Sequence, residues 1–302
     1  MINNLILSGG QIRGIGYIGV LKALEELEIL NEINNICGIS SGSIFALTYC
    51  LEFKSKDLKE LVLKLNIDDL KETYCENIFN LVYNYGLDSG TKFERLIKIV
   101  LKKKLGKETA NFTDLHNFNP NKNLIIVGSN LTNVQTEYFC LENTPEMEIW
   151  KAIRISISFP VIFDKVDYNN MIYVDGGLTD NFPIDYFEND IENTLGICVN
   201  SSKCLPEINN LHTYLLRIIY TLASQKQRQY CEKYKENTIT INLKVDITSL
   251  EFDGKIKNYL INEGYNQFKL KFKEKKIYKK YIYNSINFLI KEIIDNIIKN
   301  LN

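Results

Sequence analysis

A chain of 302 residues, 45% hydrophobic and 24% charged, carries enough apolar material for one large folded body or two small ones and falls outside the disordered and fibrous classes. A net charge of −1 argues against a protein that binds nucleic acid over its whole surface, although a local basic patch is compatible with it. Seven cysteines, odd in number and without a CxxC pair, argue against a disulfide framework or a zinc site and fit a reducing, cytoplasmic compartment.

The opening MINNLILSGG has neither the basic segment nor the cleavage site of a signal peptide, and no run of about 18 apolar residues predicts a spanning helix. Within it, residues 4–8 form a short apolar run ending in glycines, as a buried parallel strand does. Residues 15–27 follow with Ile18, Leu21, Leu24 and Leu27 at roughly helical spacing. A second strand is predicted over 35–39 and a largely apolar, buried helix over 41–51. Strand, glycine turn, helix, strand, tight turn, helix is the order of an α/β fold with a parallel sheet. Amphipathic helices are predicted over 55–65 and 91–105, the second capped by Ser89 or Thr91 with Glu94 placed for a capping box. The stretch 74–90 reads as loop-rich. A buried strand over 124–130, a hairpin partner over 135–141, a short helix over 148–156, and strands over 170–174 and 195–199 complete the first part. Past Cys204 a long helix is predicted over 211–235, a strand over 238–243, and helices over 257–272 and 281–301. No linker divides these elements. The reading is a body over residues 4–200 with a helical C-terminal extension, 201–302, packed on it.

Three segments carry chemistry. Gly38-Ile39-Ser40-Ser41-Gly42 fits G-x-S-x-G between an apolar strand and a helix. In a nucleophile elbow the small neighbours Gly38 and Gly42 let the backbone crowd together and expose the serine hydroxyl at a helix N-terminus. A plain small-residue turn gives the same pattern. Ser41 and Ser43 fall off the elbow position and suit capping or solvation. Ser8-Gly9-Gly10-Gln11-Ile12-Arg13-Gly14 follows the first strand, where a glycine-rich turn offers backbone N–H groups to an anion. In an acyl hydrolase that anion is the tetrahedral oxyanion. The pattern is neither GxGxxG nor GxxxxGK[ST], which weakens a nucleotide reading. Asp175-Gly176-Gly177 ends a predicted strand, where α/β active sites form, although Asp-Gly also makes ordinary turns.

Histidine scarcity discriminates among mechanisms. Only His116 and His212 exist, and only His212 follows Asp175 in the order a hydrolase triad needs. His212 stands at a predicted helix start rather than in a catalytic turn, and His116 suits surface or packing. Without histidine the base must be a carboxylate, and Asp175 is the best placed.

Taken together, these segments resemble the patatin-like phospholipase family, the serine/aspartate dyad lipid acyl hydrolases. LILSGGQIRGIGYIGVLKALEEL resembles the family's opening, and LIIVGSNLTNVQTEYF and AIRISISFPVIFDKV its middle strands and the approach to the aspartate. The resemblance covers roughly residues 4–200. It implies a three-layer α/β/α sandwich with a mainly parallel central sheet, Ser40 as nucleophile, Asp175 as general base, and Gly9, Gly10, Gln11, Arg13 and Gly14 in the oxyanion loop, with Gly176 and Gly177 supporting the turn. It implies phospholipase A or lysophospholipase-type cleavage of acyl esters in phospholipids or other acyl glycerolipids through an acyl-enzyme, with no cofactor and no metal. An acyltransferase or thioesterase using the same dyad, and a weakly active lipid-binding relative, are the alternatives. Gln11 stands where the family usually has glycine; if that position needs φ > 0, glutamine is strained by about 1 kcal/mol or more.

A lipid hydrolase meets an interface. Lys269, Lys271, Lys273, Lys275, Lys276, Lys279 and Lys280 form a basic run before the terminal amphipathic helix. It reads as a peripheral membrane contact or, preferably, as a solvated face beside a helix packed on the core. The sequence leaves the oligomeric state and the head-group preference open.

Overall fold

The computed structural model describes residues 2–70, 81, 83–200, 207–245 and 253–301. Four short apolar runs make the centre of the molecule: β1 (Asn4–Leu7), β2 (Asn35–Gly38), β4 (Asn123–Asn130) and β9 (Thr194–Asn200). They pair in parallel, with Leu5 beside Ile36 and Leu195, and Ile36 beside Leu124. Strand β10 (Thr238–Asn242) extends this parallel array on β9, with Ile239 beside Ile197. Three antiparallel strands complete the sheet: β5 (Gln135–Phe139) on β4, β8 (Met171–Asp175) also on β4, and β7 (Val166–Tyr168) on β8. Among the described residues the order is β10-β9-β1-β2-β4-β8-β7, with β5 off that path. The remaining strands, β3 (Gly86–Asp88) and β6 (Val161–Phe163), form a separate parallel pair.

The strands read as continuous apolar runs because both faces of the sheet are covered. Leu5, Leu7, Ile36, Leu124, Ile126, Leu195 and Ile197 enter one core, and Ile6, Cys37, Ile125, Val127 and Cys198 enter the other. The first core is roofed by α1 (Gly16–Glu26), α2 (Ser41–Cys50), α6 (Ile149–Ser156) and α9 (Gly254–Phe272). The second is closed by the 3-10 segment Ile184–Asn193 and by Tyr230, Cys231 and Tyr234 at the end of α8 (Leu211–Lys233). The fold is therefore the three-layer α/β/α sandwich with a mainly parallel sheet that the resemblance implies.

Between the layers, β4 has a divided role. Its first half lies beside β2, with Ile126 opposite Gly38, and its second half lies beside β8, with Gly128 opposite Asp175. The ends of β2 and β8 are thereby brought to the same edge of the sheet.

The C-terminal third is joined to this body closely. Helix α9 crosses α1 at backbone contact: a Cβ on Gly19 would stand 1.9 Å from the carbonyl oxygen of Ile261, and one on Gly264 would stand 2.1 Å from that of Gly16. Gly264→Val is expected to destabilise the protein by about 3 kcal/mol, because the clash is with backbone that cannot step aside. A urea midpoint equal to that of the wild type would refute this crossing. In the basic run, Lys269 binds Glu26 and Lys280 binds Glu192, both at 3.1 Å, while Lys271 and Lys275 donate to the carbonyls of Thr240 and Lys235. Phe268, Phe272 and Ile277 are buried beside them. The two ion pairs are largely exposed, so the buried side chains carry the packing of the helices on the body. The final helix, α10, spans Lys276–Leu301 and begins ahead of its expected start.

Some details differ from expectation. In helix α4 (Thr91–Leu105) Gly90 takes the N-cap at φ 71, where a side chain would meet the Arg154 guanidinium at 2.5 Å, and Ser89, one position earlier, accepts the Thr91 amide at 3.2 Å on its Oγ. Glu94 pairs with Lys98 instead of closing a capping box. Strand β3 arises inside the stretch read as loop; residues 74–80 and 82 of that stretch lie outside the described residues, as does Cys204. Helix α3 (Ser55–Lys64) forms as expected, whereas α5 (Phe112–Phe118) was not anticipated; its capping box of Asn111 with Asp114 is the signal that marks it. The short strands β6 and β7 carry too few residues for a period to show.

Candidate active site

Ser40 occupies the turn between β2 and α2 at φ 50, ψ −127, a conformation that costs a non-glycine residue roughly 1–3 kcal/mol. Surrounding contacts hold it there. Its amide donates to Ser156 Oγ at 3.0 Å, and its carbonyl accepts from Ser43 Oγ at 2.6 Å and from the Ser43 amide at 2.9 Å. Gly42 passes so close to β1 that a Cβ would lie 2.2 Å from the Leu7 carbonyl oxygen, and Gly38 is similarly confined by Ser43 and Gly42. The small residues of the motif are thus required by close approach. Ser43 is fully buried, so neither capping nor solvation describes it; its hydroxyl braces the elbow.

The glycine loop lies against this elbow. Ser41 Oγ accepts the Gly10 amide at 3.1 Å, so Ser41 ties the loop to α2 instead of facing solvent. A Cβ on Gly14 would collide with Ser41, which places Gly14 behind the elbow, whereas Gly9, Gly10, Gln11 and Arg13 line the cavity. Among the described residues, no acceptor is paired with the amides of Gly9 and Gln11. Gln11 has φ 53, the left-handed region that glycine adopts freely, and its Oε1 is buried without a partner. Gln11→Gly should therefore stabilise the fold by about 1 kcal/mol, the released strain and desolvation exceeding glycine's added chain entropy. Denaturant unfolding measures this, and a destabilised variant would refute the strain assigned to Gln11.

Asp175 ends β8, just ahead of the short helix α7 (Gly177–Asp180), and is almost fully buried. Its Oδ1 accepts the Gly177 amide at 2.7 Å. Gly176 and Gly177 allow the turn because side chains there would strike the Val127 carbonyl oxygen and Asn181. Burial pushes the Asp175 carboxyl up to about 7, with the Ser40 hydroxyl and the Gly177 amide pulling the other way. Oδ2 has no hydrogen-bond partner. The Ser40 hydroxyl is thus near enough to influence the carboxylate but stands off from a fully formed hydrogen bond.

Ser40, Asp175 and the loop face one cavity of about 630 Å³. Helix α8 forms its far wall with Tyr220, Ser224, Gln227 and Cys231. Tyr220 stacks on Phe159 with centroids 5.0 Å apart, and its hydroxyl is buried without a partner. Asn181 donates to the Gly9 carbonyl at 3.3 Å and to Gln227 Oε1 at 2.7 Å. These residues escaped sequence reasoning: Tyr220 and Gln227 lie in a helix without a motif, and only the position of Asn181 just past the D-G-G turn marks it. His116 is exposed on α5; His212 lies in the first turn of α8, and its side chain falls outside the described residues. Among the described residues, no histidine side chain lines the cavity, and no group of acidic, histidine or cysteine side chains is arranged to hold a metal.

A parallel α/β sheet that presents a strained strand-to-helix serine, a glycine turn and a buried carboxylate at one edge defines a hydrolase-like architecture. The sequence profile of the patatin-like phospholipases matches residues 5–188, and the chain belongs to that family. It is 32% identical over 280 residues to the uncharacterized protein R571 of Acanthamoeba polyphaga mimivirus, covering 89% of this chain and 93% of that protein. It is also 32% identical over 187 residues to the probable lipid hydrolase 463L of Invertebrate iridescent virus 6, covering 60% and 61% of the two chains. The crystal structure of VipD from Legionella pneumophila shares the fold with a TM-score of 0.60 at 19% identity; the match spans 88% of this chain and 65% of VipD.

Proposed function

We propose that the protein is a lipid acyl hydrolase of the phospholipase A or lysophospholipase kind, with Ser40 as nucleophile and Asp175 as general base. The observation that carries this reading is Asp175 Oδ2, a buried carboxylate oxygen without a partner in the cavity that the strained Ser40 also enters. Oδ1 is held by the Gly177 amide, which leaves Oδ2 to take the hydroxyl proton as Ser40 attacks an ester carbonyl. A carboxyl poised near 7 is a competent base at neutral pH.

The negative charge that develops on the carbonyl oxygen meets the amides of Gly9 and Gln11 and the N-terminus of α2. Gly10 is occupied with Ser41, so its part in the loop is structural. Collapse of the tetrahedral intermediate leaves an acyl-Ser40 and releases the alcohol, which takes up a proton from Asp175. A water molecule that gives its proton to Asp175 then attacks the acyl-enzyme, and Asp175 returns that proton to Ser40 Oγ as the fatty acid leaves. Neither step draws on a cofactor.

Peripheral contact with a lipid surface belongs to this reading. Among the described residues no helix is long and apolar enough to cross a membrane. Leu211, Leu215, Ile218 and Leu222 nevertheless form an exposed apolar stripe on α8, whose opposite face lines the cavity.

The test is fatty-acid release from mixed phospholipid and lysophospholipid vesicles by purified wild type, Ser40→Ala, Asp175→Asn and His212→Ala. Release by wild type and His212→Ala but by neither of the others supports the dyad. A folded wild-type protein that releases nothing from either lipid would sink the reading.

A further inference from the structure

Two cysteines stand in the cavity wall, and the proposed hydrolysis uses neither. Cys198 lies near the end of β9, beside Thr240 of β10. Cys231 lies in the last part of α8. Their sulfur atoms are 3.0 Å apart, both are free thiols, and both line the cavity that holds Ser40 and Asp175. Cys198 is fully buried, whereas Cys231 is partly open. The other described cysteines, Cys37, Cys50 and Cys140, are buried, and none of them lines this cavity.

We propose that Cys198 and Cys231 form a redox-active thiol pair, a modification site in the active-site wall that a hydroperoxide converts to a disulfide. The two thiols differ in the way such chemistry needs. Contact with Cys198 holds the Cys231 thiol below its usual value, while burial pushes Cys198 well above it. Cys231 is therefore the attacking group. Its thiolate attacks the distal oxygen of the hydroperoxide: the S–O bond forms, the O–O bond breaks, and an alcohol leaves, or water when the oxidant is hydrogen peroxide. The thiol of Cys198 then attacks the sulfenic sulfur; the S–S bond forms, the S–O bond breaks, and water leaves. Two thiols are oxidised by two electrons, and one peroxide bond is reduced.

The pair is connected to the glycine loop. Gln227 Nε2 donates to Cys198 Sγ at 3.5 Å, Gln227 Oε1 accepts from Asn181, and Asn181 also donates to the Gly9 carbonyl. A disulfide requires the sulfurs at about 2.05 Å, closer than the thiols now stand. Closing that gap draws α8 toward the sheet one helical turn from Gln227, and with it the relay to Gly9. The cross-link stands independently of what the enzyme hydrolyses; its effect on turnover rests on the lipid-hydrolase reading above.

The full chain would be treated with hydrogen peroxide, alkylated and digested. A peptide joining Cys198 to Cys231, formed first among the possible pairs and reversed by dithiothreitol, is expected. Cys231→Ser and Cys198→Ser should each abolish it. Fatty-acid release by the oxidised wild type should fall by up to about 100-fold, since a misplacement of order 1 Å at reacting groups is that costly. Dithiothreitol should restore the rate, and Cys231→Ser should show no peroxide-dependent fall from its own starting rate. Oxidation that leaves the two thiols unlinked, or that links other cysteines first, would overturn the site. Complete cross-linking with unchanged release by an active wild type would overturn the coupling. An enzyme inactive on lipid but cross-linked at this pair would count against the hydrolase reading alone.

Discussion

Ser40→Gly is expected to end fatty-acid release and at the same time to stabilise the protein. The two effects have separate origins. Loss of the hydroxyl removes the nucleophile, and in dyads and triads that act as a unit such a loss lowers turnover by about 10⁴-fold or more. The stability gain comes from the backbone: at φ 50, ψ −127 a serine is strained, and glycine is not. After glycine's larger loss of chain entropy, about 1 kcal/mol should remain. Ser40→Ala separates the terms, since it removes the hydroxyl and keeps the strained Cβ. It should be as inactive as the glycine variant and no more stable than wild type. If both variants unfold at the wild-type midpoint, the elbow stores no strain; if either keeps wild-type turnover, Ser40 is not the nucleophile.

Asp175→Asn should show a comparable opposition. Turnover should drop by about 10⁴-fold, because the amide keeps the geometry but takes no proton. Stability should rise, and the rise should depend on pH. The native carboxyl, pushed up to about 7 by burial, holds its proton to higher pH than the same group in the unfolded chain. The native state therefore carries more protons between pH about 4 and 7, and its stability falls as pH rises through that window. Below the window the wild type bears no penalty from this group; above it the penalty is complete, of order 4 kcal/mol at most. The asparagine variant should match the wild type near pH 4 and exceed it near pH 8. Wild-type kcat/KM should rise through pH 7 as the base ionises. A stability difference between the two proteins that is flat from pH 4 to 8 would contradict the raised carboxyl.

Much of this arrangement is legible in the sequence because short-range rules govern it. The apolar runs that became β1, β2, β4 and β9 advertise burial on both faces, and the glycines at 38 and 42 stand where backbone must approach backbone, while a Cβ at 9 or 10 would press on the side chain of Asn181 or Val199. Even the difficulty at Gln11 is visible, since its φ of 53 is what an occupied glycine position implies. What escapes is set by long-range packing. Nothing local to Tyr220, Gln227 or Cys231 says that one face of α8 closes a cavity, and nothing local to Ser41 says that its hydroxyl would meet Gly10 across the turn. Strands β6 and β7 are too short to show a period. The cap at Gly90 depends on where Arg154, far along the chain, places its guanidinium.

The divided pairing of β4 bears on how such a site tolerates change. Gly38 is opposite Ile126 and Asp175 is opposite Gly128, so the offset between elbow and acid is measured out by two residues of a single strand, about 7 Å. The lengths of the connections that lead into and out of β4 do not enter that spacing. Loops among them are free to lengthen or shorten over evolutionary time, and Ser40 and Asp175 will still arrive in step so long as this one strand holds its register and Ser156 stays against the elbow.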